Sequence, residues 1–265
     1  MKIQRIFPDF VSLVHDLDLS RALPDQDVAR LRTEFLQCKV LILPSQEISP
    51  RQYIAFCGYF GKVWRTDDEM KLEAHFQFQD YPELVKVSNH HGVLGPMELE
   101  YHADGSHHPS KSYPTRGLFA WSIPKSCAGS TTWLDMTQAY ALLPETWRQR
   151  IANLKARHIP RYSTGWEGEE VFHPLVRVHP ISGIPSLSVD TYFTRYIEGL
   201  APAEGQELLA ELLTFAKTHA RSYTHSWSRH DIVVFDNNNT VHRRDRVLGA
   251  EERLLLRTTL DLLPL

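Results

Sequence analysis

The sequence predicts a mainly β protein with flanking α-helices, built on a double-stranded β-helix (jelly-roll) core. Three observations carry this expectation. Two helix-like segments come before Gly61, many short strand-like runs separated by turn residues follow, and only two helical inserts interrupt those runs. A length of 265 residues without internal repeat, low-complexity tract or linker suits one β-rich domain with insertions, so a single domain over 1–265 is expected.

The elements follow in order. Residues 25–37 place Val28, Leu31 and Phe35 near one helical face, with Pro24 and Asp25 as the start signal. Val40 to Pro44 reads as a short buried strand. Ser49-Pro50 opens a second helix that carries Ile54 and Cys57 and ends at Phe60-Gly61. Strand-like runs then cover Leu84–Ser88, Arg116–Ser122, Ser130–Leu134, Leu175–His179, Ser186–Asp190, Tyr223–Trp227, Asp231–Phe235 and Leu254–Leu262. Turns fall at Pro124-Lys125, Ser182-Gly183 and Asn237–Asn239, and the helical inserts lie near 136–154 and 204–219. The irregular, polar stretches 64–100 and 158–172 are the natural lids.

Composition excludes several classes. With 42% hydrophobic and 23% charged residues and a formal net charge of −3, the chain lacks the basic stripe of a nucleic-acid binder. No run approaches about 18 uninterrupted apolar residues, so no membrane span is expected. Met1 to Asp9 lacks the apolar core of a secretion signal, and Cys38, Cys57 and Cys127 form no CxxC pair. They read as buried thiols of a reducing compartment, and a cytoplasmic location is expected.

Histidine is the outlier, at 14 residues. The densest signal is Tyr101-His102-Ala103-Asp104-Gly105. On a strand, residues i and i+2 share a face, so His102 and Asp104 can reach one metal together. A third ligand has to come from a distant segment, and His242 is the candidate because the apolar strand Asp231–Phe235 shortly before it anchors its segment. Two imidazoles and a carboxylate leave open positions on a metal, the facial set used by iron(II) oxygenases. The HxD pattern alone also fits two polar residues at a strand end. Further on, Arg253 and Arg257 are four apart and face one side of a strand, where inward cations imply anions; salt bridges to Glu251, Glu252 or Asp261 are the alternative. A zinc hydrolase is a competing enzyme class, although it gives no reason for the two arginines. A binding protein that kept the fold and lost catalysis is another, and the intact set of three ligands speaks against it.

These residues resemble the TauD/TfdA (taurine dioxygenase) family of Fe(II)/2-oxoglutarate dioxygenases, over nearly the whole chain. Asp16–Leu23, Val40–Pro44 and Ile48–Gly61 are similar to the family's N-terminal block, and His102-x-Asp104 to its first two iron ligands. Ala128–Trp133 resembles the strand whose threonine helps bind 2-oxoglutarate, here Thr131. His173–Pro180 with Ser182-Gly183 is similar to the mid-chain stretch. Phe235-Asp236-Asn237 and His242-Arg243 are similar to the last ligand segment, with Arg253 and Arg257 at the usual offsets.

The resemblance implies Fe(II) held by His102, Asp104 and His242, with 2-oxoglutarate and O2 as co-substrates. Arg253 would pair with the distal carboxylate of 2-oxoglutarate, Thr131 would add a hydrogen bond, and Arg257 would serve the same region or an anionic group on the substrate. Oxidative decarboxylation would give succinate and CO2 and drive oxidation of an unactivated C–H bond. Hydroxylation is the default outcome, with desaturation or cyclisation as alternatives, and a carboxylate at Asp104 argues against halogenation. The partner would be a small, anionic or amino-acid-like molecule, with Arg244, Asn89 and Tyr101 as candidate contacts. Arg244 could equally form a surface ion pair with Asp245. Tyr101 departs from the tryptophan often found before the first ligand, and the stretch Asn89–Glu100 does not match residue by residue, which puts taurine itself in doubt. His90, His91, His107 and His108 read chiefly as loop residues, and Trp64, Phe76, Phe78, Tyr162, Trp166 and Tyr192 as available pocket walls. Relatives occur as several assemblies, which leaves a homo-oligomer open.

Overall fold

Val40–Leu43 is apolar at every position, which on a strand requires burial on both faces. The computed structural model, which describes residues 1–66, 76–90, 95–107, 114–125, 129–159, 171–247 and 251–264, supplies those two faces. The chain opens with β1 (Lys2–Phe7), β2 (Val11–His15), α1 (Asp25–Cys38), β3 (Val40–Leu43), α2 (Pro50–Gly58) and β4 (Gly61–Val63). Next come β5 (Gln77–Phe78), β6 (Tyr81–Ser88), β7 (Leu99–His102), β8 (Thr115–Ser122) and β9 (Ser130–Asp135). Helices α3 (Met136–Leu142) and α4 (Glu145–Ile151) precede β10 (Lys155–His158), β11 (Val171–Pro174), β12 (Val176–Val178), β13 (Pro185–Leu187) and β14 (Thr194–Ile197). The chain ends with α5 (Pro202–His219), β15 (Ser222–Ser226), β16 (Ile232–Phe235), β17 (Thr240–Arg244) and β18 (Leu254–Leu262).

Two sheets face one another. The larger runs β1-β2-β3-β16-β8-β18-β6-β5, with β4 added to β18; the smaller runs β15-β9-β17-β7. Alternation assigns each side chain of the large sheet a face. Leu41, Leu43, Ile232, Val234, Leu254 and Leu256 pack outward against Leu31 and Phe35 of α1 and Tyr53 and Phe56 of α2. Val40, Ile42, Leu118, Ala120, Val233, Phe235 and Leu255 point inward and meet Trp133 from the small sheet. Behind the small sheet, Leu134 and Val241 pack on Ala139 of α3 and on Leu208, Leu212 and Ala216 of α5. This is a jelly-roll core with helices on its outer faces, as expected from sequence.

The element expectations are met with the following revisions. The insert near 136–154 is broken at Pro144, which caps α4 instead of continuing α3. The polar β1, the short strand β17 and the three-stranded sheet β11-β10-β14 were not anticipated. The stretch 64–100 contains β5, β6 and β7, so it is less irregular than expected. Most of the stretch 158–172 lies outside the described residues, together with Tyr162, Trp166, His91, His108 and Cys127, whereas Cys38 and Cys57 are buried free thiols. No helix among the described residues is long and apolar enough to cross a membrane.

Candidate active site

The small sheet brings the two histidines together. His102, the last residue of β7, lies directly opposite His242 of β17, and their ring centroids are 4.2 Å apart. Asp104 follows in a turn beyond β7 rather than on the strand itself, so the turn, not strand alternation, brings its carboxylate to the imidazoles. One ligand atom from each of His102, Asp104 and His242 lies within 4.8 Å of the others, and among the described residues this is the group able to hold a metal ion. A register shift between His242 and Arg244 marks a bulge beside the site, which sets Leu99 opposite Arg244.

The loop carrying Asp104 is tightly held. Asn237, fully buried just after β16, accepts from the Asp104 backbone N–H at 3.0 Å and donates from Nδ2 to the Asp104 carbonyl at 2.9 Å. Arg116 of β8 places Nε 3.3 Å from Asp104 Oδ2 and donates from Nη2 to its carbonyl at 3.3 Å. Arg257 of β18 donates from Nη1 to the same Oδ2 at 3.4 Å. The next turn is pinned by the small three-stranded sheet: His173 donates from Nε2 to the Ser106 carbonyl at 2.8 Å, and His158 Nδ1 lies 3.1 Å from the Ser106 hydroxyl. That hydroxyl donates to Asp190 Oδ2 at 3.4 Å.

The charge states suit a metal. Burial opposes the Asp104 charge, but neighbouring Arg257, the hydrogen bond from His102, His242 and Arg116 outweigh it and hold the carboxyl well below its ordinary range. Burial, with His102 next, pushes His242 down to about 3, so its imidazole is neutral at pH 7. His102 donates from Nδ1 to the Glu100 carbonyl at 2.7 Å, turning Nε2 toward Asp104 Oδ1 at 3.4 Å. A ring nitrogen fixed by a carbonyl so that the other can ligate is the usual arrangement behind metal-bound histidine. His242 Nδ1 is buried without a hydrogen-bond partner among the described residues. The donor set, charge and orientation therefore fit a divalent metal.

The other expected residues separate into groups. Thr131 of β9 is buried opposite Arg244, and its hydroxyl accepts from Trp227 Nε1 at 2.9 Å, leaving its own O–H to donate. Arg253 is 1% exposed and runs past Gly129, where a Cβ would sit 3.3 Å from Arg253 Nε; it belongs to the Thr131 end. Arg257 instead belongs to the Asp104 end. Arg244 is buried on the inner face, and Asp245 pairs not with it but with Arg243, at 3.0 Å. Asn89 spends its amide on the backbone, accepting from Arg253 N–H at 2.8 Å and donating to the Glu251 carbonyl at 3.1 Å. Tyr101 points to the outer face, packed with the α3 and α5 cluster beneath Lys217 and Arg243. His107 packs on Phe193 with ring centroids 4.7 Å apart, outside the ligand group, and Tyr192 and Phe193 flank the His102 ring at 5.6 and 6.1 Å. Phe78 belongs to the helix-facing core.

Sequence reasoning missed Arg116 and the role of Asn237. Arg116 had a readable signal: it is a charge in phase with the inward Leu118 and Ala120 of a buried strand.

A jelly roll with a buried His-Asp-His cluster and inward arginines defines a class of metal-dependent oxygenase folds. A family model described as "Taurine catabolism dioxygenase TauD, TfdA family" matches residues 3–259, and the chain belongs to that family of 2-oxoglutarate-dependent dioxygenases. The chain is 30% identical over 282 residues to the alpha-ketoglutarate-dependent 2,4-dichlorophenoxyacetate dioxygenase of Cupriavidus pinatubonensis, covering 97% of this chain and 96% of the relative. It is 30% identical over 247 residues to pentalenolactone F synthase of Streptomyces arenae, covering 82% and 80%. The solved structure of AAD-2 in complex with Mn(II) and N-oxalylglycine superimposes with a TM-score of 0.80 at 27% identity, covering 99% of this chain and 97% of that one.

Proposed function

We propose that this chain is a single-domain, Fe(II)-dependent dioxygenase that couples decarboxylation of 2-oxoglutarate by O2 to hydroxylation of an unactivated C–H bond in a small anionic molecule. The observation that carries this reading is the convergence of His102, Asp104 and His242 on an interior that Thr131, Arg253 and Arg257 share. Ferrous iron, held by those three side chains, would supply the redox chemistry that activates O2. The rest falls to the protein. Arg253, with a donated hydrogen bond from Thr131, holds the distal carboxylate of 2-oxoglutarate and so fixes the pose of its oxo-acid end. Arg257 and Arg116 hold the Asp104 carboxylate in its ionised form and in one orientation. Trp133, Phe235 and Leu255 keep the floor of the site dry. The metal and dicarboxylate named for AAD-2, and the 2,4-dichlorophenoxyacetate named for the Cupriavidus relative, support this reading of co-substrate and substrate charge. Two buried free thiols, Cys38 and Cys57, support a reducing cytoplasm as its compartment.

Anaerobic addition of Fe(II) and then 2-oxoglutarate is expected to produce a weak visible charge-transfer band, and Asp104→Ala is expected to remove both the band and substrate-coupled succinate release. A wild-type protein without a band, or an Asp104→Ala variant with full coupled turnover, would sink the proposal.

A further inference from the structure

Arg244 is a buried cation to which the described residues offer no anion. It is 4% exposed and follows His242 by two residues on β17, and it faces inward opposite Leu99. Its Nη2 donates to the carbonyls of Gly95, at 2.7 Å, and Met97. Nε and Nη1 are buried and make no hydrogen bond among the described residues. The neighbouring carboxylate, Asp245, is taken by Arg243 and by the Ser130 hydroxyl. Buried guanidinium N–H groups without acceptors are unfavourable, and a ligand bearing negative oxygens removes that penalty on binding.

Two anions could meet it, the co-substrate or the primary substrate. The sheet order β9-β17-β7 decides between them. Thr131, on β9, lies on one flank of Arg244, whereas the carbonyls of Gly95 and Met97, on the segment that leads into β7, hold the guanidinium on the opposite, β7 flank. On that flank Leu99 packs with Tyr192 and Phe193 in an apolar cluster separate from the larger cores, against the ring of His102. A cation beside an apolar wall next to the metal ligands matches an amphiphilic acid. We propose that Arg244 receives the carboxylate of the primary substrate, so that this enzyme oxidises organic acids with an apolar body in preference to their neutral analogues. The proposal rests on the function given above and adds to it the substrate class and the residue that selects it.

The test uses anaerobic holoenzyme with Fe(II) and 2-oxoglutarate, titrated with phenoxyacetate, 3-phenylpropionate and decanoate and with the neutral amide of each. Binding is read by calorimetry and by perturbation of the visible band. At least one acid is expected to bind wild type about 100-fold more tightly than its amide, the worth of a buried charge-assisted contact. Arg244→Gln should abolish that preference while 2-oxoglutarate affinity changes by less than about twofold. Arg244→Lys, which keeps the charge without the planar fork, should retain part of the preference and serves as the decisive variant if Arg244→Gln does not fold. Equal binding of acids and amides to wild type, an undiminished preference in the variants, or a loss confined to 2-oxoglutarate binding would each overturn the assignment. Failure of the wild-type band would overturn the underlying function as well, so the two failures are told apart by the first titration.

Discussion

Replacing Asn237 by Ala removes the clamp on the loop that carries Asp104, and the cost can be worked from its hydrogen bonds. Asn237 makes one bond to each backbone polar group of Asp104, at 3.0 and 2.9 Å. The Asp104 carbonyl keeps a second donor, Arg116 Nη2 at 3.3 Å, but the N–H has no second acceptor among the described residues. An orphaned buried donor costs about 1–3 kcal/mol, and the bond lost at the carbonyl adds about 1 kcal/mol. The sum is about 2–4 kcal/mol, which in a protein near this size lowers Tm by roughly 4–16 °C. Because the clamp also aims a proposed ligand, metal affinity should fall by about 10–100-fold, the range typical of groups that orient a ligand. Asn237→Asp, nearly the same shape, keeps the acceptor but turns a carboxylate toward the Asp104 carbonyl, so it should fail as well. Thermal melts followed by circular dichroism and a calorimetric Mn(II) titration measure both quantities. A melt within about 1 °C of wild type and unchanged Mn(II) affinity would refute the reasoning.

Three further expectations are more compact. Gly129 has φ +66° and would bring a Cβ to 3.3 Å from Arg253 Nε, so Gly129→Ala should raise the 2-oxoglutarate KM by about 10-fold or more while leaving Mn(II) affinity near wild type. Arg116→Gln removes a cation from Asp104, so the acid limb of the charge-transfer band should move to higher pH; an unmoved limb would count against the ion pair. Burial, with Arg177 next, lowers His173 to about 4. The unfolded chain therefore binds the extra proton between about pH 6.5 and that value, and folding stability falls as pH drops through this window. His173→Gln should flatten that part of the stability–pH curve, and an unchanged slope would assign the acid loss to other groups.

The readable parts of the molecule were those whose signals are local or ordered along the chain. Val40–Leu43 and Ile232–Phe235 announced themselves because a two-faced core demands apolar residues at every position. The strand β1 did not, since none of its residues is buried and its edge position imposes no alternation. The three metal-ligand candidates were legible through their spacing and through the ordered resemblance, although Asp104 owes its place to a turn and not to the strand rule. Asn237 was invisible as a clamp because its partner lies 133 residues away, and an asparagine after a strand reads simply as a turn. Tyr101 is the opposite case. Strand alternation, which points His102 inward, sends Tyr101 outward, and its proximity in sequence to a ligand outweighed a parity rule that was available. Asn89 lies near the site, yet its amide is used to tie the backbone of Glu251 and Arg253.

The site is divided between the two sheets in a way that explains its dependence on register. The small sheet contributes His102, His242, Thr131 and Arg244, and the large sheet contributes Arg116 and Arg257, with Arg253 immediately before β18. Neither sheet holds both the imidazoles and the Asp104-facing arginines, so the chemistry exists only where the faces meet. On β18, Arg257 shares the inward parity of Leu255, while Leu254 and Leu256 face the helices. A one-residue slip would bury Arg257 against Phe56 and Tyr53 and send leucines into the site. The fold resists that slip by holding β18 on both sides, pairing Arg257 with Leu118 of β8 and with Val85 of β6, while β4 takes its far end at Leu260–Leu262. Arg257 is thereby held by an interior strand of the sheet rather than a loop. That rigidity lets a buried cation keep one orientation toward Asp104 instead of relaxing toward water, which is the condition for charge to be preorganised in a site.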